Sequence, residues 1–346
     1  MNLHLLVPAL FWPDSALPEI YRDLSLPGLE NLLAKSSCMK EESQGIEAWL
    51  CRAFGIEKQQ DWPIAPITLV TDGAGAIKTG DDYWVRADPV HLRIEHDQIV
   101  LADSRIFRIS NEEAEQFSSL LNRHFCENGQ EIKFLPLKPD RWYLRLVKTP
   151  PANTRLLSEA ANKGIDKLLP FGANADPWRA LFNEIQMVLH EHPLNEAREA
   201  RGELAINSVW FWGGGIMPKS LASPFIHVWT NEVLASSLAA ACGTEQTLLP
   251  ADADAWQAAA QPGNHLITLG VLLGKAQYGD AYGWRESIKE VERRWFDPLW
   301  RMLKQGRLSQ LRLIALDESS VKNFTIMHGD SRKFWRRQKP LSTYSP

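Results

Sequence analysis

The stretch LHEHPLNEAREARGELAINSVWFWGGG, Leu189 to Gly215, decides how this chain is read. It runs through a helix end, a proline break, a short charged helix, an apolar strand and three glycines. Just upstream, Asp176 can cap a helix whose first residue is Pro177, and Trp178, Leu181, Phe182, Ile185, Val188 and Leu189 recur at helical spacing as its core face. Pro193 disfavours helical backbone at His192, so His192, Asn195 and Arg198 fall on the break and the first turn of the next helix. Free backbone N–H groups and a guanidinium placed there can hold an anion. Gly202 ends that helix and Ile206 to Trp212 reads as a buried strand. Gly213, Gly214 and Gly215 then let the backbone come close to whatever the strand delivers it to.

Outward from this stretch, strands and helices alternate. Ile206 to Trp212, Phe225 to Trp229, Leu266 to Leu273 and Leu308 to Leu316 read as strands with helices between, a pattern that predicts a parallel sheet covered on both faces. Ligands of such sheets bind beyond the carboxyl ends of the strands, where Asp317 and the Gly213–Gly215 loop are expected. The run Leu3 to Trp12 is a buried first strand, and Leu26 to Ala34 opens a helix at Pro27. Between Ile67 and Val147 the pattern shifts to short runs, Tyr83–Ala87, His91–Ile94, Ile99–Leu101, Ile132–Leu135 and Trp142–Val147. They flank one helix with a capping box, Ser110 and Glu113, whose face is Ala114, Phe117, Leu120, Leu121 and His124. The segment from Pro150 to Asn174, rich in Pro, Gly and Asn, reads as the hinge after this inserted α+β region.

The order His192-Pro193-Leu194-Asn195, then Arg198 and Gly202, then a strand ending Trp212-Gly213-Gly214-Gly215, resembles the archaeal-type, cofactor-independent phosphoglycerate mutases of the alkaline phosphatase superfamily. The chain's size, its 14 Trp and its string Leu26-Pro27-Gly28-Leu29-Glu30 more closely resemble a bacterial branch of RpfE-type regulatory proteins. The resemblance implies an alkaline-phosphatase-like, mostly parallel sheet flanked by helices, formed by residues 1–62 and 150–346, with an inserted α+β subdomain at 63–149.

Phosphoryl transfer in the family resembled needs metal ions to neutralise phosphate charge and a Ser or Thr nucleophile. Relatives carry an Asp-Gly pair after the first strand; here that place reads Val7-Pro8-Ala9. The nucleophile position before the helix start is Leu26, which leaves Ser25 or Ser15 as alternatives. A Gly-His-x-Gly-Asp-like element appears as Gln277-Tyr278-Gly279-Asp280, and an Asp-His-Ser element as Asp317-Glu318-Ser319. His328 matches a third ligand. Asp280, Asp317, Glu318 and His328 could form a reduced, oxygen-rich site for Mg or Mn, but the reading preferred here is a metal centre that has decayed, with no cofactor. His190 and His192 lie two apart and do not match helical zinc spacing. The function implied is a non-catalytic, phosphoglycerate-mutase-like protein with a regulatory or partner-binding role, keeping a pocket for a phosphorylated small molecule at His192, Asn195, Arg198 and Gly213–Gly215. The alternative is an active metal-dependent mutase or phosphatase with a relocated nucleophile.

Composition sets outer bounds. With 45% hydrophobic and 23% charged residues over 346 positions, the chain is an ordinary globular one of one large domain or two. A net charge of -4 gives it no general attraction to nucleic acid or anionic lipid. Cys38, Cys51, Cys126 and Cys242 show no metal spacing and are read as reduced, structural thiols, and with no secretion signal or spanning segment visible the expected location is cytoplasmic. Thr71-Asp72-Gly73-Ala74-Gly75 lacks the Lys-Ser/Thr ending of a phosphate loop and reads as a surface loop. The tail Arg332 to Lys339 carries five cations and two aromatics. Contact with nucleic acid or membrane through it ranks behind a docked tail whose aromatics face the body and whose cations face water.

Overall fold

The computed structural model describes residues 1–146, 152–190, 192–317 and 320–345. It divides into two compact units, one formed by Met1–Phe54 with Ala222–Pro346 and the other by Gly55–Leu221. In chain order the first unit begins with β1 (Asn2–Pro8), α1 (Pro27–Lys35), β2 (Ser37–Glu42) and α2 (Ile46–Ala53). The second unit holds α3 (Ile64–Asp72), β3 (Tyr83–Glu95), β4 (Gln98–Ala102), α4 (Asn111–Glu127), β5 (Phe134–Lys138), β6 (Arg141–Leu146), α5 (Leu157–Ala160), α6 (Ala175–His190), α7 (Pro193–Ala200) and β7 (Ser208–Gly215). The chain then returns to the first unit with β8 (His227–Trp229), α8 (Val233–Ala241), β9 (Glu245–Thr247), α9 (Ala253–Ala259), β10 (Asn264–Thr268), α10 (Leu273–Gln277) and α11 (Ala281–Val291). A π-helical turn (Glu292–Phe296), α12 (Asp297–Lys304), β11 (Gln310–Leu316) and β12 (Ser320–Met327) complete it.

The first unit is built on a seven-stranded sheet of order β2-β12-β11-β1-β10-β8-β9. The pairings of β1 with β10 and β11, and of β8 with β10 and β9, are parallel; β12 runs antiparallel to both β11 and β2. Leu3, Leu5, Leu6 and Val7 of the central β1 are all fully buried, as a strand covered on both faces requires. Helix α1 opens with Pro27 in its first turn and buries Leu29, Leu32 and Leu33, while α9 and α11 are capped by Asp252 and Asp280 accepting from Ala255 and Gly283 N–H. This is the mostly parallel, helix-flanked sheet that the alternating pattern predicts.

The second unit is an antiparallel sheet, β4-β3-β6-β5 with β7 on β3, and α4 carries the expected capping box between Ser110 and Glu113. Here the structure corrects the sequence reading. The strand expected at Ile206–Trp212 as part of the parallel sheet is β7, which pairs antiparallel with β3 from Trp84↔Gly215 to Val90↔Ser208. Every residue of β7 is buried because α3 and α6 pack against it, with Trp178 against Phe211 at 5.0 Å and Phe182 against Trp210 at 6.3 Å. An antiparallel strand covered on both faces loses its polar alternation and reads like a parallel one. The second unit therefore takes in α6, α7 and β7, and spans Gly55–Leu221 rather than 63–149.

Smaller expectations also change. Tyr83–Ala87 and His91–Ile94 are one strand, β3, and the strand at Leu266–Leu273 stops at Thr268, where a 3-10 turn and α10 follow. Asp72, expected on a surface loop, is buried and bound by Arg141 and Tyr143. Cys38 and Cys126 are exposed, and Cys51 is buried. In the tail the aromatics do not dock as expected, Phe334 and Trp335 being 84% and 65% exposed; Arg332, Arg336, Arg337 and Lys339 are exposed as expected, and Arg336 also donates to the carbonyls of Lys35 and Ser36. Among the described residues no helix is long and apolar enough to cross a membrane.

Candidate functional site

Three groups of residues were expected to carry chemistry, and each is placed by a different element. His192 is the N-cap of α7, its Nδ1 accepting from Leu194 N–H at 3.1 Å, and its ring leans on Phe117 at 5.1 Å. Burial, then the charge of Arg123, lowers its pKa from the ordinary imidazole value. It borders an open hollow of about 600 Å³ in which Arg123 is the only Arg or Lys among the described residues, with Glu112 and Glu115 also in its lining. Asn195, buried, spends its whole amide on backbone: Nδ2 donates to Leu189 and Ile206 carbonyls at 2.9 and 3.0 Å, and Oδ1 accepts from Ile206 N–H at 2.8 Å. Arg198 is fully buried and bonds to the Leu204 and Arg108 carbonyls and to Glu113, each at 2.8 Å. Glu113 is thus both half of the α4 capping box and the anion held by Arg198.

The glycines answer packing within the second unit. A Cβ on Gly215 would lie 2.6 Å from Pro63 Cβ, and one on Gly214 2.8 Å from the Tyr83 hydroxyl. Gly213, at φ 65°, lies under Ile64. The strand end is therefore pressed onto the start of α3 and onto β3. His192, Asn195, Arg198 and Gly213–Gly215 are not gathered as one anion pocket: the buried pair ties α7 to α6, to the segment before β7 and to the start of α4, and the glycines close a strand against a helix.

The expected metal ligands are likewise dispersed within the first unit. Asp280 is exposed, caps α11 and pairs with Lys275 at 2.9 Å. Asp317 follows β11 at the carboxyl end of the sheet. His328 follows β12, whose antiparallel register sets Met327 opposite Gln310 at the other end of β11. Seven residues of strand put those two positions about 24 Å apart, since each residue of a strand rises about 3.4 Å. His328 Nδ1 donates to the Leu303 carbonyl at 2.6 Å. Glu318 lies outside the described residues. No group of three or more His, Cys, Asp or Glu able to hold a metal occurs among the described residues. A divalent metal shared by Asp317 and His328 does not fit this sheet.

At Asp317 itself, burial pushes the carboxyl pKa up to about 6, against the pull of Lys322, the Phe11 backbone and Lys40. Across the same rim the chain leaves β1 through Ala9 at φ 55°, a left-handed turn that favours glycine, made here without one. Its carbonyl accepts from Trp284 Nε1 at 2.9 Å.

The residue that the sequence reading missed lies at the start of α1. Leu26, at the position where the resemblance implies a nucleophile, is fully buried. The N–H groups of Gly28 and Leu29 donate to the two carboxylate oxygens of Glu292 at 2.6 and 3.0 Å. Glu292 opens the π-helical turn and is buried; desolvation pushes its pKa up to about 7, although both amides favour the charged form. Gly28 is required for this approach, because a Cβ there would lie 2.5 Å from the Asp297 backbone. The signal was present in the sequence: Glu292 falls on the apolar stripe Ile288, Val291, Trp295, Phe296 and Leu299, where an acid needs a partner. Ser15 and Ser25 are exposed, and neither hydroxyl is hydrogen-bonded to a histidine or carboxylate among the described residues.

Solved structures place this architecture. A cofactor-independent phosphoglycerate mutase from Thermoplasma acidophilum superposes over 99% of this chain and 94% of its own, with a TM-score of 0.52 at 15% identity. The chain has the fold of that mutase. A Pyrococcus horikoshii protein matches 94% of the chain with a TM-score of 0.54 at 13% identity. In sequence, the family model for 2,3-bisphosphoglycerate-independent phosphoglycerate mutase matches residues 71–195, less than half of the chain. The mutase of Methanosarcina barkeri is 31% identical over 147 residues, and that of Methanosarcina mazei 27% over 154. Those alignments cover 42% and 44% of this chain but only 35% and 33% of the relatives. Likeness to the mutases is thus established over part of the sequence and over the whole fold.

Proposed function

We propose that this chain is a phosphoglycerate-mutase-like protein that transfers no phosphoryl group and acts through binding, in the regulatory or partner-binding role that the RpfE-type resemblance implies. The observation that carries the reading is the Glu292 carboxylate on the Gly28 and Leu29 amides. A helix N-terminus of this kind is where an anionic phosphate would be held beside a nucleophile, and here the molecule's own acid takes both donors. The residue that would attack is the buried Leu26. In-line displacement at phosphorus needs an attacking oxygen and a counterion for the developing charge. The dispersal of Asp280, Asp317 and His328 removes support for the second, as Leu26 does for the first. Because Asn195 and Arg198 are spent on backbone carbonyls and Glu113, a phosphorylated small-molecule pocket built on them is not part of this proposal.

The test is interconversion of 2- and 3-phosphoglycerate by metal-stripped protein with Mg or Mn restored, using Asp317→Asn as control. Flat progress curves with every metal are expected. Turnover that depends on metal and disappears in Asp317→Asn would make the chain an enzyme and end this reading.

A further inference from the structure

The carboxyl end of β11 holds a carboxylate that is taken out of water. The Asp317 side chain is 5% exposed; among the described residues no side chain hydrogen-bonds either carboxylate oxygen, and Lys322, the Phe11 backbone and Lys40 are what favour its charge. Ser320 Oγ and Gln44 Oε1 are buried and likewise unpartnered, and Ser43, next to Gln44, donates to the Asp317 carbonyl. A carboxylate taken so far out of water needs a compensating cation. The cation present is Lys322 on β12, whose Nζ lies 3.9 Å from Asp317 and whose side chain is 11% exposed.

That ammonium is built in rather than passing through. It donates to the Tyr344 carbonyl at 2.6 Å and stands 4.6 Å from the centre of the Phe11 ring. The segment that supplies the carbonyl is itself anchored: Leu341 is 1% exposed, the Tyr344 ring meets Phe324 edge-on at 6.2 Å, and Ser345 shares a hydrogen bond of 3.1 Å with the Tyr21 hydroxyl. Tyr21 in turn accepts from Trp12 N–H just beyond β1. A second cation, Lys40, sits opposite Lys322 in the β2–β12 register. A divalent ion brought to Asp317 would meet the Lys322 ammonium at short range in a poorly screened place, with the exposed Lys40 adding to the repulsion.

We propose that the Lys322 ammonium, seated by the C-terminal segment Leu341–Ser345, is this protein's permanent cation at the strand ends, standing where the resemblance puts a divalent metal. The inference is separate from loss of catalysis, since an inactive chain could still bind metal. It predicts that this one does not, and that Lys322 and Asp317 are coupled in folding.

The test uses the metal-stripped full chain, titrated with Mn²⁺ alone and read by the free-ion resonance signal, with urea unfolding at about pH 8 in parallel. Wild type is expected to take up no stoichiometric Mn²⁺. Lys322→Met should lower the folding constant about 100-fold or more, and adding Asp317→Asn to it should recover at least about tenfold, because a neutral amide needs no counterion. One Mn²⁺ per chain, lost in Asp317→Asn, would overturn the proposal, as would a double variant no more stable than Lys322→Met. If Lys322→Met does not fold, Asp317→Asn alone decides: stranding the buried ammonium should cost at least about tenfold, and an unchanged constant refutes the coupling. None of these readouts depends on mutase activity, so failure here and failure of the non-catalytic reading are distinguishable.

Discussion

Replacing Glu292 by Gln tests the charge at the start of α1 most directly. The carboxyl has an ordinary value of 4.5 and is pushed up to about 7 in the folded protein by burial, so between those values the folded chain keeps a proton that the unfolded chain has released. Stability contributed by this group is therefore whole below about pH 4.5, falls as pH rises toward 7, and is flat beyond. A shift from 4.5 to about 7, at about 1.36 kcal/mol per pH unit, makes the loss about 3 kcal/mol. Gln cannot ionise, so its slope from this site is zero. At acid pH the variant should be slightly less stable than wild type, by about 1 kcal/mol, because one of the two amides of Gly28 and Leu29 loses its acceptor. Near pH 8 the order should reverse by about 2 kcal/mol. Asp88 and Asp317, also raised to about 6 by burial, add to the pH slope of both proteins and cancel in the difference. Urea unfolding followed by tryptophan fluorescence, stepped from about pH 4.5 to 8, measures that difference. A constant gap would show that Glu292 does not hold its proton in the fold. A gap that widens against Gln with rising pH would show that the amides stabilise the anion more than burial penalises it.

Three further outcomes separate structural from binding roles in the second unit. Arg198→Ala should cost about 3–5 kcal/mol in unfolding free energy, because the Leu204 and Arg108 carbonyls lose their donor and Glu113 keeps only the exposed Arg201 as a countercharge; a variant of wild-type stability would reopen a ligand role. Gly215→Ala should lower the unfolding free energy by about 1–3 kcal/mol, since its Cβ meets Pro63 at 2.6 and 2.8 Å, and a neutral effect would mean that the start of α3 can yield. Asp88→Asn should destabilise by about 3–5 kcal/mol, because Arg86, buried between the Tyr143 and Trp212 rings, would lose its countercharge and one of its two acceptors, now at 2.9 and 2.7 Å. A thermal midpoint unchanged in Asp88→Asn would contradict that account.

What the sequence made legible follows from which signals are local. The α4 capping box, the Pro27 start of α1 and the apolar β1 and β11 each announce themselves within one element, and the structure has them. The partner of β7 does not, because an all-buried strand carries no mark of whether its neighbour runs with it or against it. Strands β2 and β12 escaped notice for the opposite reason: β2 is exposed along its whole length, and Lys322 and Asn323 interrupt the apolar pattern of β12. Missing β12 also misplaced His328, since one antiparallel strand after Asp317 carries the chain back across the sheet. Asn195 and Arg198 read as ligand groups because their donor chemistry is the same whether it meets phosphate or a backbone carbonyl; only the tertiary partner distinguishes the two.

A common physical pattern links the places where the resemblance led us to expect exchangeable ligands. At the start of α1 the free amides of Gly28 and Leu29 are taken by Glu292; at the end of β11 a cation is required, and Lys322 supplies it. At α7 a guanidinium that could grip phosphate grips Glu113. In each case the countercharge is covalently part of the chain, so its effective concentration is fixed and a diffusing ligand must displace it before binding. That competition makes the charges structural: breaking any one pair leaves its partner buried and alone, whereas a site built for turnover leaves its charges partly unanswered until substrate arrives. The stability penalties of Lys322→Met and Arg198→Ala, and the pH-dependent effect of Glu292→Gln, should therefore appear in the protein as isolated, with no added ligand, and adding 3-phosphoglycerate should change none of them.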